Sequence, residues 1–166
     1  MRHIISILLQ NEAGALARVA ALFSTRGYNI ESLNVAPTTD PETSRVTLVT
    51  IGSDQVISQI NKQLMKLVDV VNFADMTLGD HIERELALLK LRVPQDAMEQ
   101  VVALTHQEGM RVLDDAPGNY TLELTGTGTQ IDDFVDRVSA QTEILALVRS
   151  GPLAIARGQQ VLSAGG

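Results

Sequence analysis

The chain has no cysteine and no tryptophan, and only two tyrosines and three phenylalanines among its 166 residues. Without cysteine there is no disulfide, no thiolate-held zinc and no thiol nucleophile. With so few aromatic rings, the core must be built from Ile, Leu and Val, and the 45% hydrophobic content is enough to fill one. Basic residues are also scarce: 13 Lys and Arg stand against 20 Asp and Glu, a formal charge of −7. That balance argues against a phosphate backbone or an anionic membrane as a partner. No apolar run approaches the roughly 20 residues of a membrane-spanning helix, and the opening run at 4–9 lacks a signal-peptide layout. A cytoplasmic location is expected, so the sequon Asn119-Tyr120-Thr121 is read as accidental.

What the chain does have is a turn, Gln10-Asn11-Glu12-Ala13-Gly14-Ala15-Leu16, between an apolar strand at 3–9 and an amphipathic helix over about 13–26. A strand that turns straight into a helix points the free N–H groups of the first helical turn at whatever lies above it. Those donors, backed by the helix dipole, suit a small anion such as a carboxylate. Gly14 removes a side chain that would keep a ligand from the backbone. Asn11 offers a donor and an acceptor, which suits an amino acid better than a phosphate. From local chemistry alone, an ordinary Asn-capped turn explains the same residues.

Periodicity extends the pattern. On the helix, Leu16, Val19, Ala20 and Phe23 share one face, and Gly27 stands where helices commonly stop. A strand at 28–36 carries Ile30, Leu33 and Val35, with a slip in alternation between Ile30 and Leu33 that predicts a bulge or a bend. After the turn Pro37-Thr38-Thr39-Asp40-Pro41 come a strand at 44–51, a helix over 54–66 and a strand across 67–78. The order βαββαβ then repeats: strand 85–93, helix 95–108, strands 110–116 and 119–125, helix 130–140 and strand 143–148. This predicts an α+β protein of two ferredoxin-like domains, 1–78 and 82–158, with 159–166 as a loose tail. Open sheets of this kind leave edge strands and one uncovered face, which pairing between subunits would cover. The apolar run Leu153-Ala154-Ile155-Ala156 follows the second repeat without an assigned place.

Several ordered segments resemble one family. Asn11-Glu12-Ala13-Gly14-Ala15-Leu16 and Arg26-Gly27-Tyr28-Asn29-Ile30-Glu31-Ser32-Leu33 resemble the amino-terminal ACT domain of acetolactate synthase (acetohydroxy acid synthase) small subunits. So do Ala36-Pro37-Thr38, Ser44-Arg45, Gln63-Leu64, Lys66-Leu67-Val68-Asp69-Val70, Glu83-Arg84-Glu85, Arg149-Ser150-Gly151 and Arg157-Gly158. The resemblance implies a regulatory subunit without catalysis of its own, one that activates a catalytic large subunit and confers valine feedback inhibition in branched-chain amino acid biosynthesis. Thiamine diphosphate and Mg would belong to that catalytic partner, and this chain would carry no cofactor. The resemblance also implies a homodimer through the ACT domains, with valine at the boundary. Asn11, Gly14, Ala15 and Leu16 would come from one subunit, and Asn29 and Ile30 from its partner.

Other motifs point to less. Gly126-Thr127-Gly128-Thr129 resembles half a dinucleotide-binding loop, but Ile131 stands where the third glycine belongs and the unit is not a Rossmann βαβ. Asp132, Asp133 and Asp136 near a helix start are favourable there without a metal, and no metal site is expected. His3, His81 and His106 are scattered, and no nucleophile–base pair stands out. An RNA-binding module shares the βαββαβ order, but the strands at 3–9 and 44–51 have no aromatic side chain for stacking bases. A free-standing amino-acid sensor acting on another target is the alternative reading, although no basic stripe or helix-turn-helix supports a DNA-binding version.

Overall fold

A computed structural model describes residues 1–164 and divides the chain into two compact units, 1–83 with 152–164 and 84–151. The last two residues of the expected tail, 165 and 166, lie outside the described residues.

The first unit contains β1 (Arg2–Gln10), α1 (Ala15–Ser24), β2 (Ile30–Pro37), β3 (Thr43–Ile51), α2 (Asp54–Leu64) and β4 (Val70–Asp75). Its sheet is antiparallel, in the order β2-β3-β1-β4. Alternation along β1 and β3 aims Ile5, Ile7, Leu9, Val46 and Leu48 at the helices. There they meet Ala15, Val19 and Phe23 of α1 and Ile57, Ile60 and Leu64 of α2, all buried. The bulge predicted in β2 is present, as a register shift between Ile30 and Ser32.

The second unit repeats the plan. The strands β5 (His81–Arg92, whose first three residues fall in the first unit), β6 (Arg111–Asp114), β7 (Asn119–Gly126) and β8 (Glu143–Arg149) are ordered β6-β7-β5-β8, with α3 (Met98–Gln107) and α4 (Gly128–Ser139). Ala87, Leu89, Leu91, Leu122 and Leu124 pack against Val101, Ile131, Phe134 and Val138. Both units are therefore ferredoxin-like, as the repeated rhythm predicts. No helix among the described residues is long and apolar enough to cross a membrane.

One expectation is corrected, and one segment finds its place. From residue 152 the chain packs with the first unit. Its apolar run forms a further strand, β9 (Leu153–Ala156). The outer face of the first sheet is also not left open. Ile4, Val49 and Met76 are buried there with Ala154, and Ala74 and Ala156 pack alongside. Asn34 Nδ2 donates to the Pro152 carbonyl at 3.4 Å, and Asn72 Nδ2 donates to the Ser163 carbonyl at 2.8 Å. The chain's own C-terminal segment thus occupies a face that the sequence reading reserved for a second subunit. What remains open on this sheet is its edges, because among the described residues β2 pairs only with β3 and β4 only with β1.

Candidate effector site at the β1–α1 turn

The helix α1 starts two residues later than its apolar pattern suggests. Gly14 is its N-cap at φ 85°, a left-handed conformation that suits glycine and that the helix cannot absorb. No side chain caps this helix, and no acidic residue stands in its first turn. Each of the other three helices is furnished differently. Asp54 and Glu99 stand in the first turns of α2 and α3, and Thr127 with Gln130 closes a capping box on α4. The positive end of α1 is therefore the one that offers its N–H groups without an opposing acid or cap.

Asn11 does not cap α1. Its backbone N–H donates to the Glu42 carbonyl at 2.8 Å and its Nδ2 to the Pro41 carbonyl at 3.0 Å, fixing the turn against the β2–β3 hairpin. This leaves Oδ1 without a partner among the described residues. Gly14 is exposed, Ala15 is buried as the first residue of the helix, and Leu16 is half-buried against the core.

Asn29 and Ile30 lie elsewhere. Asn29 is exposed and its carbonyl accepts from Thr50 Oγ1 at 2.7 Å, while Ile30 opens β2 opposite Thr50. Thr50 in turn lies opposite His3, whereas Gln10, next to Asn11, lies opposite Thr43. The seven strand positions from His3 to Gln10 separate the two groups by about 23 Å at the ordinary rise of a strand. Within one chain the six sequence-nominated residues thus fall into two groups at opposite ends of the sheet.

The sequence reading missed the charged pair beside the turn. Arg18, one helical turn after Gly14, grips Asp69 with two bonds, Nε to Oδ2 at 2.5 Å and Nη2 to Oδ1 at 2.7 Å. Asp69 is only 3% exposed, and its backbone carbonyl accepts from Gln10 N–H at 2.8 Å. The hydrogen bond from Arg18 holds the Asp69 carboxyl below its ordinary range, against a desolvation that would raise it. The same bond raises Arg18, with Glu12 adding a smaller push in that direction. Gly14 and Asp69 each stood inside a motif quoted for the resemblance, but their link through Arg18 spans 51 residues and leaves no periodic trace.

Two family models match the chain: "AHAS small subunit-like ACT domain" over residues 5–72 and "Small subunit of acetolactate synthase" over 84–158. The chain is 43% identical over 160 residues to an acetolactate synthase small subunit of Haemophilus influenzae, covering 96% of this chain and 98% of that one. The chain belongs to the acetolactate synthase small-subunit family. It is also 43% identical over 162 residues to the isozyme 3 small subunit of Escherichia coli, covering 98% of this chain and 99% of the relative. The crystal structure of a Thermotoga maritima acetolactate synthase small subunit superposes with a TM-score of 0.84 at 31% identity, covering 96% and 99% of the two chains. The first unit is accordingly the ACT domain of this small-subunit architecture.

The other motifs take structural places. Thr127 accepts from the Gln130 N–H while the Gln130 side chain accepts from the Thr127 N–H at 2.9 Å, so this helix start satisfies itself. A β-carbon at Gly126 would fall 2.8 Å from Gln130 Oε1, the oxygen that accepts from the Thr127 N–H, so the glycine leaves room for the capping box. Asp132 accepts from Arg149 Nη1 at 2.5 Å, and Arg149 also makes two bonds to the buried Glu85. Among the described residues, no group of three or more His, Cys, Asp or Glu could hold a metal ion.

Proposed function

We propose that this chain is a regulatory, non-catalytic subunit that activates the thiamine-diphosphate-dependent catalytic subunit of acetolactate synthase and makes it sensitive to valine. Thiamine diphosphate and Mg belong to the catalytic subunit. Valine binds between two ACT domains, its carboxylate at the start of α1 and its ammonium group on the Asn11 and Asn29 amide oxygens. Leu16 and Ile30 wall its aliphatic side chain.

The separation of the two half-sites supports this reading best. One valine cannot touch Asn11 and Ile30 of the same chain across about 23 Å of sheet. Two chains joined antiparallel through their open β2 edges, about a two-fold axis, bring the partner's start of β2 to the Pro37 end of this chain. Pro37 lies opposite Ser44, at the same end of the sheet as Gln10 and Asn11 and across the hairpin that Asn11 grips. A ligand that completes such a boundary favours one packing of the dimer over another, and that difference is what allosteric control requires.

The test is acetolactate formation from pyruvate by a purified catalytic subunit, with and without this chain and valine. Activation by the chain, reversed by valine by a factor of about five to a hundred, is the expected result. An unchanged rate in all four combinations refutes the proposal.

A further inference from the structure

We propose that Arg18 is the residue that makes this site select a free carboxylate, through the one edge of its guanidinium that Asp69 leaves open. The inference rests on the effector-site reading above and extends it to a residue outside the six nominated from sequence.

The guanidinium has two of its nitrogens committed, Nε and Nη2, both to Asp69. The third, Nη1, has no hydrogen-bond partner among the described residues. It is also the atom that lies over the turn: a β-carbon built on Gly14 would sit 2.8 Å from it. The group is therefore neither a loose surface cation nor a fully satisfied buried pair. It is half exposed, with a side-chain exposure of 48%, and clamped along one edge by a carboxylate that is itself almost wholly buried. A planar fork held along one edge presents the other in a fixed direction, which suits bidentate or charge-assisted recognition of a carboxylate. The open Nη1 stands beside the uncapped start of α1, so a carboxylate seated there meets backbone N–H groups and a guanidinium together.

This also changes the reason for glycine at position 14. The space above its α-carbon is also occupied by Arg18: a β-carbon at 14 would meet Nη1 at 2.8 Å, so the guanidinium would have to shift. Asp69 acts as a positioning residue: it touches no ligand, and its carboxylate holds Arg18 while its carbonyl ties the end of β1.

The experiment is calorimetric titration of the full chain with valine and with valinamide, which keeps the ammonium group and side chain but has no carboxylate. Wild type, Arg18→Lys and the double variant Arg18→Gln/Asp69→Asn are compared. Lysine keeps the charge opposite Asp69 without a second donor edge. The double variant removes both charges, so no buried carboxylate is stranded if lysine fails to support the fold. The expected result is valine binding weakened about ten- to a hundred-fold in each folded variant, the scale of a hydrogen bond to a charged group, with valinamide affinity unchanged. Valine affinity within three-fold of wild type overturns the role of Arg18 and leaves the site itself standing. An equal loss for valine and valinamide also overturns it, since that is what a merely structural role would produce. Wild type that binds no valine overturns the site and this inference together.

Discussion

Asn72, in the last strand of the first sheet, donates its side-chain amide to the backbone carbonyl of Ser163 at 2.8 Å. With the Asn34 bond to Pro152, it brackets a C-terminal segment that seals the outer face of the ACT domain. Ala154 sits at the centre, 6% exposed against Ile4, Val49 and Met76. Those neighbours are apolar, so a charge placed there is desolvated. Ala154→Asp should lower the stability of the first unit by about 3 kcal/mol, the scale of an unpaired buried charge. Urea denaturation followed by circular dichroism measures it, and the exposed neighbour Ile155→Asp, at 55% exposure, serves as the near-neutral control.

The Arg18–Asp69 pair makes a pH prediction with a definite sign. Arg18 holds Asp69 below its ordinary value of 3.8, so the native state binds the Asp69 proton less readily than the unfolded chain does. The stabilisation is therefore present above the ordinary carboxylate range and disappears as pH falls through the lowered native value. Denaturant midpoints of wild type and Asp69→Asn, measured from neutral pH downward, should differ most at neutral pH and converge in acid. A difference that stays constant with pH contradicts the pairing.

The capping box at the start of α4 also has a measurable weight. Thr127→Ala removes the acceptor for the Gln130 N–H and should destabilise the second unit by about 1 kcal/mol. Its thermal midpoint reports the loss.

The core predicts a larger effect. Phe23 is fully buried between α1 and the first sheet, and Phe23→Ala should cost about 3–5 kcal/mol. Because Phe23 anchors the helix whose first turn belongs to the proposed valine site, valine binding should weaken along with stability in the same titration.

Much of this architecture was legible in the sequence because alternation and helical period act locally. The faces of β1 and α1 follow from period alone, and even the β2 bulge showed as a slip between Ile30 and Leu33. What stayed hidden was non-local. In β9 the larger residues Leu153 and Ile155 are exposed while the small Ala154 is buried, so an all-apolar run carried no signal of which side faces the sheet. Asn11 has the chemistry of a cap, yet its hydrogen bond goes to Pro41, 30 residues away. The position of Ile30 relative to Asn11 depends on strand order, which period cannot give, and that order puts the two at opposite ends of the sheet.

The most direct test of that division is subunit complementation. Gly14→Asp damages the turn half of each site, and Asn29→Ala damages the β2 half. In a mixed dimer one site inherits both defects while the other keeps two intact halves. Each variant alone should bind valine at least about tenfold more weakly than wild type. A dissociated and reassociated mixture, titrated by calorimetry, should regain wild-type affinity at one valine per mixed dimer. A mixture that binds no better than its two components contradicts a valine site shared between two chains.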